Sequence, residues 1–74
     1  MQNKIKLYRA ANDLTQQALA EQVGVTRQTI IAMEKDKYTP SLELAFKVSR
    51  VFDATVEELF LYDDQSDVQA NEAD

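Results

Sequence analysis

The side chains best equipped for chemistry lie between Gln16 and Lys35, in the run QQALAEQVGVTRQTIIAMEK. Arg27 carries a planar fork of donors, Gln28 offers a donor beside an acceptor, and Ile31 and Ala32 offer apolar contact. At ~100° per residue these four and Lys35 share one side of a helix, while Ile30 and Met33 fall opposite. An isoleucine between an arginine and a lysine is odd on a plain solvated face. It makes sense against the edges of base pairs. Arginine donates twice to guanine O6 and N7, glutamine pairs with adenine N6 and N7, and aliphatic groups pack on the thymine methyl. Arg27, Gln28, Ile31 and Ala32 are therefore the candidate base readers. Thr26 and Thr29, with Gln16 and Gln17 at the start of the preceding helix, are candidate phosphate contacts, aided by free N–H groups at helix N-termini.

Other chemistries find little support. The 74 residues include no Cys and no His, which removes disulfides, thiolate nucleophiles, imidazole bases and the usual zinc ligands. Asp63 and Asp64 are expected in a mobile tail that offers no fixed pocket, and Glu57 and Glu58 are expected to point ~100° apart on a helix. No enzyme, metal, cofactor or small-molecule ligand is expected. No apolar run resembles a signal peptide or a membrane span, so a cytoplasmic protein without a membrane partner is expected.

The formal charge of −5 is concentrated in residues 63–74, where Asp63, Asp64, Asp67, Glu72 and Asp74 meet no basic residue. Residues 1–62 balance eight basic against eight acidic side chains. Within residues 1–41, Lys4, Lys6, Arg9, Arg27, Lys35 and Lys37 outnumber Asp13, Glu21, Glu34 and Asp36 by two. Charge placement, not the total, decides whether a surface suits nucleic acid.

The elements that must hold these residues read as five short helices in an all-α domain over 1–62, followed by an acidic tail, 63–74, expected to be disordered. Asn3 caps a first helix over about 4–12, and Asn12-Asp13 stops it. Thr15 opens a helix over about 16–23, Gly24 breaks it, and Thr26 opens a third running to about Lys35. Ser41 caps a fourth over about 42–52, with Leu44, Ala45, Val48, Val51 and Phe52 as its apolar stripe. Thr55 and Glu58 have capping-box spacing for a fifth, reaching about Tyr62. No strand alternation is visible. At the second turn, Ala20 is small enough for a close helix crossing, and Gly24 can take positive φ. Leu19, Val23, Val25 and Ile30 lock the angle.

With these residues in place, LTQQALAEQVGVTRQTIIAMEKDKYTPSLELAFKVSRVF resembles the lambda-Cro/C1-type helix-turn-helix family, also called XRE, especially its small stand-alone bacterial and archaeal members. The resemblance extends over roughly residues 3–62. It implies a five-helix, lambda-repressor-like fold that binds double-stranded DNA and regulates transcription, with the third helix in the major groove. It also implies that Gln16 contacts the backbone and supports a recognition residue, and that Arg9 pairs with Glu34. Lys35, Lys37, Tyr38 and Thr39 would lie along phosphates. Near-palindromic operators and homodimers, often joined through the fifth helix, follow from the family. The apolar cluster there either closes the core over the fourth helix through Leu59 or Phe60, or forms a subunit contact, for which Val51, Leu59, Leu61 and Tyr62 are the candidates. Asp36 stands where the family usually has Gly or Asn, and Asp53 where it commonly has Gly. Asp tolerates the left-handed region better than most residues, though Asp36 brings a negative charge near the expected phosphate path. The alternative reading is an antitoxin or adaptor that binds a protein partner, with DNA binding secondary.

Overall fold

The computed structural model describes residues 1–62; the acidic segment 63–74 lies outside them. Five helices occur in order: α1 Ile5–Ala11, α2 Gln16–Val23, α3 Arg27–Glu34, α4 Leu42–Val51 and α5 Val56–Leu59. They enclose one core, whose fully buried members include Ile5, Leu19, Ala20, Ile30, Val48 and Leu59. Ala20 packs with no exposed surface, and Leu19, Val23 and Ile30 are buried beside it. The Tyr8 and Phe52 rings, centroids 5.8 Å apart and tilted by 46°, join α1 to α4.

One turn design recurs along the chain. Asp13, Gly24, Asp36 and Asp53 follow the ends of α1 to α4, with φ of 56°, 78°, 60° and 52°. In each case the next residue's N–H reaches back five residues: Leu14 to Arg9, Val25 to Ala20, Lys37 to Ala32 and Ala54 to Ser49. These bonds satisfy carbonyls that a helix end leaves without partners. At three of the four turns an N-cap threonine arrives at once. The triplets Asp13-Leu14-Thr15, Gly24-Val25-Thr26 and Asp53-Ala54-Thr55 are therefore versions of one connector: a left-handed residue, an apolar residue packed on the core, and a cap. Thr15, Thr26, Ser41 and Thr55 each accept from the N–H three residues on. Thr55 and Glu58 complete a reciprocal capping box. Asp36 and Asp53 thus adopt the backbone conformation that their glycine-like positions require.

Two expectations are corrected. The fifth helix does not reach Tyr62; it ends at Leu59, and Phe60–Leu61 is extended as strand β2. It pairs antiparallel with β1, Gln2–Asn3, in the register Gln2↔Leu61 and Asn3↔Phe60, and Lys4 N donates to Leu59 O at 2.7 Å. The pairing gives backbone groups beyond a one-turn helix the partners that burial of Phe60 requires. Such a short, non-alternating pair has no periodic signature. Nor does Asn3 hold the N-cap position of α1: that position is Lys4, with no side-chain cap bond, and the residue just before it is Asn3. Its Oδ1 accepts from Ile5 N at 3.1 Å, while its Nδ2 donates to Met33 O at 2.6 Å and to Asp36 Oδ1 at 3.0 Å. This side chain ties the start of the chain to the end of α3.

At Gly24 the requirement is conformational only, since beyond its own chain neighbours no atom lies within 4 Å of where a Cβ would sit. Gly24→Ala should cost about 1–2 kcal/mol, the strain of a left-handed alanine, and Gly24→Asn distinctly less. Urea unfolding followed by helical circular dichroism ranks the two. Equal losses would show that something other than backbone strain governs the site.

Candidate nucleic-acid interface

The α2–α3 unit presents its candidate residues by the same local logic that folds it. Ile30 and Met33 anchor α3 from beneath. Arg27 and Gln28 are exposed, and Ile31 and Ala32 are half-buried on the neighbouring strip. Thr26 is exposed and Thr29 half-buried, their hydroxyl oxygens 3.1 Å apart, with Thr26 Oγ1 also accepting from Thr29 N. Gln17 is exposed and donates to Glu21, whereas Gln16 is half-buried. Lys35, Lys37, Tyr38 and Thr39 are all exposed in the segment leaving α3, as are Lys4 and Lys6. The Asp36 carboxylate in that segment accepts from Asn3.

Arg9 and Glu34 meet below this surface, their side chains 15% and 6% exposed. The contact is side-on: Nε donates to Oε2 at 2.6 Å and Nη2 to Oε1 at 3.3 Å. The remaining terminal nitrogen, Nη1, donates to the Leu14 carbonyl at 2.9 Å. Gln16 Nε2 donates to Glu34 Oε1 at 3.1 Å, and Arg27 Nε donates to Gln16 Oε1 at 3.5 Å. Five residues from α1, its following loop, α2 and α3 thus form one connected polar set. Arg9, Gln16 and Arg27, with Thr15 and Gln17, line an open polar depression. The Gln16–Glu34 bond spans 18 positions in the chain, and its partners carry no periodic or motif signal that pairs them.

The residues expected at a subunit contact separate. Leu61 and Tyr62 are exposed and Val51 is half-buried. Leu59 has no exposed surface at all. It faces the core because the one-turn α5 must bury its last residue to dock on α4, so it supplies no surface to a partner. Among the described residues, no cluster of three or more acidic or metal-ligating side chains is suited to a metal ion, and no helix is long and apolar enough to cross a membrane.

Five helices, a three-residue turn between α2 and α3, and an outward α3 face of donors and aliphatic groups define a helix-turn-helix DNA-binding domain. The helix-turn-helix family model matches residues 5–59, and the chain belongs to that family, among the XRE-type, lambda-repressor-like transcriptional regulators. It is 56% identical over 64 residues to an uncharacterized HTH-type transcriptional regulator of Methanocaldococcus jannaschii, covering 86% of this chain and 97% of that protein. It is also similar to the solved N-terminal DNA binding domain of SinR from Bacillus subtilis. There the TM-score is 0.67 and identity 33%, over 73% of this chain and 80% of that one. A chain of a SinR protein/SinI protein complex matches with a TM-score of 0.71 and 28% identity, over 95% of this chain and 74% of that one. The family is not one of enzymes.

The Arg9–Glu34 pair should behave unlike the exposed Lys47–Glu43 pair of α4, 3.3 Å apart. Arg9→Ala leaves Glu34 charged and desolvated and should cost about 3 kcal/mol. Lys47→Ala should change stability by less than about 0.5 kcal/mol. Denaturant midpoints at constant slope measure both, and similar losses would place the Arg9 interaction effectively in solvent.

Proposed function

We propose that the chain reads a near-palindromic double-stranded DNA operator as a homodimer, with α3 in the major groove, and represses transcription there. The observation that carries this reading is the outer strip of α3, where Arg27 and Gln28 stand free of the core and Ile31 and Ala32 remain partly accessible. Arg27 and Gln28 supply hydrogen-bond specificity, and Ile31 and Ala32 supply apolar contact to thymine methyls. Gln16, Gln17, Thr26, Thr29, Lys35, Lys37, Tyr38 and Thr39 flank that strip and hold phosphates, fixing the helix register without reading sequence. The capped N-termini of α2 and α3 add N–H groups suited to phosphate oxygens.

Self-association draws on the exposed Leu61 and Tyr62 and the half-buried Val51, without Leu59. A two-fold dimer reuses one patch on both subunits and mirrors the symmetry of a near-palindrome. Bound over a promoter, it occludes polymerase. A second reading, in which a protein partner comes first, is favoured by exposed Leu42 and Phe46 on α4, which groove docking leaves unused. The similarity to a chain of the SinR protein/SinI protein complex points the same way.

Selection from a random duplex pool tests the function directly. The expected product is a near-palindrome with half-site centres about 34 Å apart, carrying two chains by sedimentation. An unselective pool or a single bound chain overturns the proposal. On the selected site, Arg27→Ala should lose about 1–3 kcal/mol and relax the preference at one base pair. Lys37→Ala should instead weaken every duplex alike and reduce the salt slope by about 1. Affinity measured across salt and single-base variants separates the two behaviours.

A further inference from the structure

We propose that Glu34 is a positioning residue for base reading: by accepting from Gln16 it dictates which end of that amide faces Arg27, and so aims the Arg27 guanidinium. The inference rests on the reading of Arg27 as a base reader.

A carboxylate can only accept hydrogen bonds, whereas a glutamine amide has one donating end and one accepting end. Glu34 Oε1 takes the Nε2 end of Gln16 at 3.1 Å, which leaves Gln16 Oε1 to receive Arg27 Nε at 3.5 Å. Arg9 grips both carboxylate oxygens and is itself tied to the Leu14 carbonyl, so Glu34 is held in place. The polarity of the chain is thereby set from beneath. Arg9 and Gln16 donate to Glu34, and Arg27 donates to Gln16, so each bond favours the orientation that the next one uses.

The outer end of this chain has a chemical consequence. With Nε directed at Gln16, Arg27 keeps its two terminal nitrogens for a ligand, and that edge of the guanidinium matches guanine O6 and N7. The last bond is long and lies at an exposed side chain, so it biases the rotamers of Arg27 without locking them. Such a bias lessens the side-chain ordering that binding demands. If residue 34 were a neutral amide, the Gln16 amide would be free to flip and turn its NH2 toward the guanidinium, donor against donor.

The test uses the full chain, the selected duplex and its three variants at the base pair where Arg27→Ala relaxes preference. Wild type should prefer one base about tenfold there. Glu34→Gln and Gln16→Leu should each reduce that preference to about twofold, a larger change than at any other base pair, while Gln16→Leu also weakens all duplexes through its lost phosphate contact. Ratios between duplexes are read because Glu34→Gln also changes net charge. Gln16→Leu leaves the Arg9–Glu34 pair intact, so a weakened fold does not explain its result. In the free protein, exchange of the Arg27 Nε–H should be slower than that of the exposed Arg50 Nε–H, and the difference should vanish in Gln16→Leu.

Preference retained in Gln16→Leu overturns the relay, as does Arg27 Nε–H exchange as fast as that of Arg50. Preference lost in Gln16→Leu but kept in Glu34→Gln removes Glu34 from it. If Arg27→Ala relaxes no base pair, the base-reading role fails first, and the relay falls with it.

Discussion

The structure depends on one contact between opposite charges taken largely out of water. Arg9 belongs to the first helix and Glu34 to the end of the third, and their side-on pairing spans 25 positions of sequence. Ion pairs of this kind are poor sources of net stability, because desolvation offsets much of the attraction. Their value lies in geometry. A planar guanidinium meeting a carboxylate along two parallel bonds tolerates little rotation, and the third Arg9 bond, to the Leu14 carbonyl, fixes the chain where it turns into α2. The third helix is therefore oriented by a directional contact at its C-terminal end and by apolar burial of Ile30 and Met33 along its length.

A second economy lies in the connectors. The chain has one glycine, yet four helices end on a left-handed residue, and aspartate fills the other three positions. Aspartate enters this region more readily than most side chains. The helix-turn-helix turn is thus a local variant of a connector used before α2 and again before α5. What sets it apart is the exposed Arg27 and Gln28 immediately after Thr26, and not the backbone of the turn.

The local features were legible in the sequence for this reason. Thr15, Thr26, Ser41 and Thr55 mark helix starts by hydrogen-bond chemistry that acts within three residues, and the breaks at Asp13, Gly24 and Asp53 are equally local. The outward strip of α3 follows from periodicity once Ile30 and Met33 are assigned to the core. Periodicity does not carry contact between distant positions. The β1–β2 pair, the Asn3 bridge to Met33 and the Gln16–Glu34 bond depend on the tertiary arrangement. The inward turn of Leu59, one of two readings open in the sequence, was undecided for a related reason. An apolar residue on a four-residue helix has too few neighbours in sequence to show which side faces the core.

The pairing of Gln2 with Leu61 gives the domain a property that a plain helical bundle lacks. Hydrogen bonds close the backbone from Gln2 to Leu61 into a ring, so these two strands cannot fray independently. Through Asn3, the seam of that ring is stitched to the last turn of α3 at the Met33 carbonyl. Tightening the seam would quiet the C-terminal end of α3, and prising it open would loosen the same end. Events near Gln2 and Leu61 thereby gain a mechanical route to the C-terminal turn of α3.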